Sequence, residues 1–226
     1  MSEEIQNRIV GIIGRKGTGK STTLAERLQG EDRVFVWDPM AEHGDWLPNE
    51  LGSIEETRKF LRWSQKRKLW AASYVPGSEL EHELEEISDL YYSVAPPGPR
   101  TFAVEEVPLI CSPNYLPEKF GKLLRTGRHR QIDLYWTAQR AGEVSRTLTS
   151  LTDEFVLFSQ TEPRDLDAIA ARCGSPVADR VAHLGRHDYI VWDVADRRLT
   201  NQPEAGEWEL EVSTAKPQGE KIIEIA

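Results

Sequence analysis

The run Gly14-Arg15-Lys16-Gly17-Thr18-Gly19-Lys20-Ser21 sits between the apolar stretch Ile9-Val10-Gly11-Ile12-Ile13 and the helix-like Thr22-Thr23-Leu24-Ala25-Glu26-Arg27-Leu28. Its spacing is G-x-x-x-x-G-K-[ST], the signature of a phosphate-binding loop between a buried strand and a helix. Glycines at 14, 17 and 19 let the backbone fold round a phosphate, with successive N–H groups pointing inward at the positive end of the helix. Gly14 through Thr22 (Gly14, Arg15, Lys16, Gly17, Thr18, Gly19, Lys20, Ser21 and Thr22) are therefore the expected nucleotide-contacting residues. Lys20 is expected to reach the β- and γ-phosphates of ATP, and the Ser21 hydroxyl to hold Mg²⁺.

A chain of 226 residues that is 39% hydrophobic and 29% charged can fill one core. The expectation is one P-loop domain over 1–200 and a C-terminal extension over 201–226. A net charge of −9 argues against a protein that coats nucleic acid with its whole surface, but allows a local basic lining. Cys111 and Cys173 lie far apart, with no C-x-x-C or Cys/His metal spacing, which points to a reducing compartment. No apolar run reaches the roughly 20 residues that span a bilayer, and Met1-Ser2-Glu3-Glu4 is not a cationic signal. A cytoplasmic chain with no membrane insertion is expected.

Apolar and β-branched runs alternate with helical periodicity. Strands are expected at about 8–13, 33–38, 69–74, 101–107, 132–137, 154–158 and 189–193. Helices are expected at about 20–29, from Ser53, and at 78–94, 117–127, 142–148 and 162–173. Such alternation predicts an α/β fold, a mostly parallel central sheet with helices on both faces. Ser53 with Glu56 fits a capping box. The helix it starts is read as ending in bases (Arg58, Lys59, Arg62, Lys66, Arg67, Lys68), either a solvated face or a DNA-facing patch. In Ser78–Val94, Leu80, Leu84, Ile87, Tyr91 and Val94 form the apolar stripe, and the many glutamates are read as solvent-facing. Trp208, Leu210 and Val212 alternate in the tail, as in an edge strand or a segment docked on a neighbouring subunit.

Hydrolysis needs acids opposite the cradle. Thr101-Phe102-Ala103-Val104-Glu105-Glu106 delivers two at a strand end, on the edge where open α/β sheets bind ligands. Glu105 is assigned to the Mg²⁺ shell and Glu106 to the attacking water. The next strand delivers Gln139, whose neutral amide can hydrogen-bond the γ-phosphate or the water. Arg125, Arg128 and Arg130 precede that strand, and an arginine from such a loop can neutralise transition-state charge in a neighbouring subunit's site.

Taken together, the loop Gly14–Ser21, the Asp38-Pro39 turn, the pair Glu105-Glu106, the segment Arg125–Arg140, and Phe155–Phe158 with Leu184–Tyr189 resemble the FtsK/HerA superfamily of ring-shaped P-loop ATPases over about residues 8–194. The resemblance implies a RecA-like P-loop NTPase core, with Arg128 at the position of the arginine finger and Gln139 at that of the sensor glutamine. One departure is plain: the family usually has Asp then Glu where this chain has Glu105-Glu106, and the extra methylene shifts the metal shell.

The resemblance implies an ATP-hydrolysing translocase of double-stranded DNA, a homo-oligomeric, hexameric ring similar to genome-packaging ATPases of membrane-containing viruses. Capsid or vertex proteins would then be partners. Two alternatives stand beside it: a morphogenesis or secretion ATPase acting on protein, and a small nucleotide kinase.

Overall fold

The computed structural model describes residues 8–94 and 98–199. Nine strands form one sheet: β1 (Ile9–Ile13), β2 (Arg33–Trp37), β3 (Glu50–Leu51), β4 (Trp70–Tyr74), β5 (Arg100–Val104), β6 (Ile132–Ala138), β7 (Glu154–Phe158), β8 (Tyr189–Asp193) and β9 (Arg198–Leu199). Their order is β3-β4-β2-β5-β6-β1-β7-β8-β9. The first seven in that order run parallel, and β8 and β9 close the edge antiparallel. The α/β expectation holds, with six of the seven main strands within a residue of their expected limits and β5 ending at Val104, three residues short of the expected 107.

Among the described residues seven helices connect them: α1 (Lys20–Leu28), α2 (Ile54–Ser64), α3 (Leu80–Ser93), α4 (Glu118–Thr126), α5 (Arg146–Leu151), α6 (Pro163–Cys173) and α7 (Ser175–His183). They cover both faces of the sheet unequally. Ile13, Phe35, Phe102, Leu134 and Phe155 face a large core shared with α2 through α7. The alternate positions Val10, Ile12, Val34, Val36, Ala103 and Val156 face only α1, through Leu24 and Leu28, with Leu47 beside them. Near-continuous apolar strands are what burial on both faces requires. Gly11 is required by packing, since a Cβ there would lie 2.3 Å from the indole of Trp136 on the neighbouring strand.

Several expectations are corrected. The basic residues Lys66, Arg67 and Lys68 lie in the turn after α2, which stops at Ser64; Arg58 and Lys59 instead pair with Glu55 within the helix. The glutamates of α3 are not simply solvated. Glu83 accepts from the Tyr74 hydroxyl and the Gly77 N–H, Glu85 accepts from the N–H groups of Glu118 and Lys119 and so caps α4, and Glu86 pairs with Lys119. The helix expected at 142–148 is a 3₁₀ turn at Ala141–Glu143 followed by α5. β3, α7 and β9 were not read from the sequence. The capping box at α2 is displaced by one residue: Ser53 accepts from the Glu56 N–H, while the Glu56 carboxylate accepts from Gly52. The Trp208–Val212 segment lies outside the described residues.

Candidate nucleotide site

Parallel register brings four strand ends side by side. Trp37 pairs with Val104, Val104 with Trp136, and Ile13 with Ala138, so the residues following β2, β5, β6 and β1 share one edge. The Gly14 N–H donates to the Ala138 carbonyl at 3.0 Å, which starts the loop. A Cβ at Gly14 would stand 2.6 Å from both Phe158 and the Thr18 hydroxyl. Gly17 and Gly19 take φ of 75° and 106°, the left-handed region that a side chain disfavours. Thr18 closes the loop by donating its hydroxyl to the Arg15 carbonyl at 2.8 Å.

Lys20 is buried, with its ammonium 3.5 Å from the Arg15 carbonyl and 3.8 Å from Glu106 Oε1. Arg15, Lys16, Gly17 and Thr22 are exposed, and Ser21 is half-buried. Two residues that the sequence reading placed only within the Leu184–Tyr189 segment, with no role at the site, brace the loop from the connection between α7 and β8. Arg186 Nε donates to the Gly17 carbonyl at 3.2 Å, and the Thr18 carbonyl accepts from His187 Nδ1 at 3.3 Å. Nothing in their spacing signals this, because 169 residues separate each pair.

The adjacent acids Glu105 and Glu106 are both largely buried but face different partners. Glu106 has φ 50°, a left-handed conformation costly for a non-glycine residue, and its N–H donates to the Thr137 hydroxyl at 2.9 Å. This kink turns its carboxylate toward Lys20, with the Gln139 amide close enough to favour its charged form. Burial raises its proton affinity above the ordinary carboxylate range, against the opposing pull of Lys20 and Gln139. Three of the expected residues, Lys20, Glu106 and Gln139, are thus brought together.

Glu105 turns inward and is 2% exposed. Its Oε1 lies 3.3 Å from Nε2 of the equally buried His43, an off-axis contact rather than an aligned hydrogen bond. The turn after β2 supplies His43. Asp38 Oδ1 accepts from the Glu42 N–H at 3.0 Å and Oδ2 from the His43 N–H at 2.9 Å, while Trp46 Nε1 donates to His43 Nδ1 at 3.0 Å. An indole only donates, so Nδ1 carries a lone pair and the imidazole proton sits on Nε2, facing Glu105. Asp38, His43 and Glu105 offer ligand atoms within 4.8 Å of one another. The Trp46 bond argues against a metal there, because an imidazole ligated through Nε2 would put its proton on Nδ1, against the indole N–H.

From the same turn Glu42, exposed, accepts the Ser21 hydroxyl at 2.9 Å on Oε2. Sequence reading missed Glu42 and His43. The Asp38-Pro39 turn was the available signal, but not the side chains it presents.

Arg128 stands elsewhere. It is exposed in the 3₁₀ turn Gly127–Arg130, just before β6, whereas Gln139 follows β6. Seven strand residues at about 3.3 Å each separate the two edges by roughly 20 Å. Arg125 and Arg130 lie on the same far edge, as do Arg33 and Lys68, whose carbonyl accepts from Arg33 Nε at 3.1 Å. None of the three candidate arginines is positioned to meet the loop of its own chain.

No family model matches the sequence. The chain is 25% identical to Protein P9 of Pseudoalteromonas phage PM2 over 139 residues, which span 61% of this chain and 62% of that protein. Among solved structures it is similar to the genome packaging NTPase B204 from Sulfolobus turreted icosahedral virus 2, known in complex with AMPPCP, at 17% identity and a TM-score of 0.69, covering 85% of this chain and 95% of that one. VirB4 of Thermoanaerobacter pseudethanolicus follows at 12% identity and a TM-score of 0.54, over 86% and 89%. No helix among the described residues is long and apolar enough to cross a membrane. The chain has the P-loop NTPase fold that the packaging NTPase B204 and VirB4 share.

Proposed function

We propose that this chain is an ATP-hydrolysing motor that moves double-stranded DNA into a viral capsid as a homo-oligomeric, hexameric ring in the host cytoplasm, with capsid or vertex proteins as partners. The observation that carries the reading is the division of the hydrolytic groups between two edges. Lys20, Glu106 and Gln139 converge on the loop, while Arg128 stands roughly 20 Å away on an exposed turn, out of reach of its own loop; in this reading it serves a neighbouring copy's site.

In this reading the backbone of Gly14–Gly19 and the Lys20 ammonium bind the β- and γ-phosphates, and Arg15, Lys16 and Thr22 line the exposed rim. Glu106 takes the proton of the attacking water, which its raised proton affinity favours, and Gln139 fixes the carboxylate in place. Arg128 of the adjacent copy neutralises the charge that develops on the transferred phosphoryl group. Mg²⁺, when bound, would neutralise charge on the phosphate oxygens. Ser21 fits it with a hydroxyl on the loop, and the surrounding carboxylates fit it with an excess of negative charge. The duplex would be gripped through its backbone phosphates, for which the basic turn at Lys66–Lys68 is the candidate contact.

Steady-state ATP hydrolysis with and without duplex DNA tests the reading. We expect duplex DNA to stimulate the rate, and Arg128→Ala to lower it by about 10³-fold while leaving nucleotide affinity of the isolated subunit unchanged. A rate indifferent to DNA, together with co-purification of coat or secretion components, would favour an ATPase acting on protein.

A further inference from the structure

The hydroxyl expected to hold the metal bonds a different carboxylate from the one expected to share it. Ser21 Oγ is 2.9 Å from Glu42 Oε2, on the turn after β2. Glu105 is 2% exposed, with its Oε1 against His43. We propose that Glu42, rather than Glu105, is the carboxylate that faces the divalent cation beside Ser21, and that Glu105 is a buried strut which holds the turn presenting Glu42. This inference rests on the nucleotide-site reading above.

Three features argue for it. First, two adjacent ligands of an octahedral Mg²⁺, each at about 2.0–2.1 Å, lie about 2.9 Å apart, so the Ser21 and Glu42 oxygens already have the spacing of such a pair. Second, Mg²⁺ gives up its waters reluctantly and takes only one or two carboxylates, which suits an exposed acid at the mouth of a loop better than one enclosed in the core. Third, Glu42 is held by its backbone. Its N–H is bonded to Asp38 Oδ1, the next N–H to Asp38 Oδ2, and Ala41 before it is fixed at φ 53°. The carboxylate therefore meets the loop without ordering a free segment. The His43–Glu105 contact ties this turn to the end of β5, so the extra methylene of Glu105, awkward for a metal shell, instead lets the acid reach an imidazole.

The test uses the full chain, a non-hydrolysable ATP analogue, and Mn²⁺ as the spectroscopic stand-in for Mg²⁺, titrated by electron paramagnetic resonance. Glu42→Gln, on the surface, should weaken Mn²⁺ binding at least tenfold while analogue affinity in EDTA stays at the wild-type value. Glu105→Gln should bind Mn²⁺ within about threefold of wild type and melt at a lower temperature. Wild-type Mn²⁺ affinity in Glu42→Gln overturns the proposal, as does a tenfold loss in folded Glu105→Gln. If the wild-type chain binds no analogue in either condition, the nucleotide-site reading itself falls and takes this inference with it.

Discussion

The phosphate loop and the turn after β2 approach the same point by different means. The loop is shaped by its backbone: Gly14 because no Cβ fits against Phe158, and Gly17 and Gly19 because φ is positive. The turn Asp38–Leu47 is shaped by side chains, with Asp38 bonding two backbone N–H groups and Trp46 fixing the tautomer of His43. A backbone-shaped site writes itself into the sequence as glycines at set intervals. A side-chain-shaped one depends on partners such as Glu105, over sixty residues away, and leaves no local pattern.

The largest effect that would sharpen this contrast is chemical. Glu106 belongs to neither motif, yet its left-handed backbone turns it to Lys20 and Gln139. Glu106→Gln should lower the hydrolysis rate by about 10²–10⁴-fold with nucleotide affinity retained, measured by single-turnover hydrolysis alongside analogue binding. A rate within a few-fold of wild type would move the water-activating role elsewhere.

Next in size is a stability effect confined to the turn. His43→Ala leaves the Glu105 carboxylate buried without its polar neighbour and should cost about 1–3 kcal/mol in denaturant unfolding. An unchanged midpoint would mean that the turn does not depend on this contact.

The smallest effect is a titration. Burial presses the His43 imidazole toward neutrality, but contact with Glu105 and the charges of Asp38 and Glu42 outweigh it, so its proton affinity is raised. A raised histidine contributes stability fully present below its unfolded value and lost as pH climbs through the folded one. Trp46 opposes the second proton, because Nδ1 would have to give up the indole bond. Trp46→Phe should therefore move the His43 titration to still higher pH by NMR; a downward shift would show that the indole does not hold the tautomer.

Legibility followed the same division across the molecule. The parallel sheet was readable because strands such as Phe155–Phe158 are buried on both faces and carry unbroken apolar runs. The two-residue strands β3 and β9 were not, since two residues carry no period. The lopsided packing of the sheet was hidden as well, because Val10 and Ile13 look alike in sequence while one faces α1 alone and the other the main core. The acids of α3 read as solvated because their partners Tyr74 and Lys119 belong to other elements. In the site, Lys20 was legible from the spacing of the loop, and Glu106 and Gln139 as residues following strands. That Glu105 and Glu106 part company was not, because it turns on one left-handed φ.

The central claim is that hydrolysis is shared between copies, since Arg128 is roughly 20 Å from its own loop. The most direct measurement mixes two inactive variants, Arg128→Ala and Glu106→Gln, and follows ATP hydrolysis with duplex DNA present. The account predicts recovered activity in the mixture, because an Arg128→Ala subunit keeps its own Glu106 and receives Arg128 from a Glu106→Gln neighbour. A mixture that stays as inactive as either variant alone, while the two demonstrably co-assemble, would contradict it.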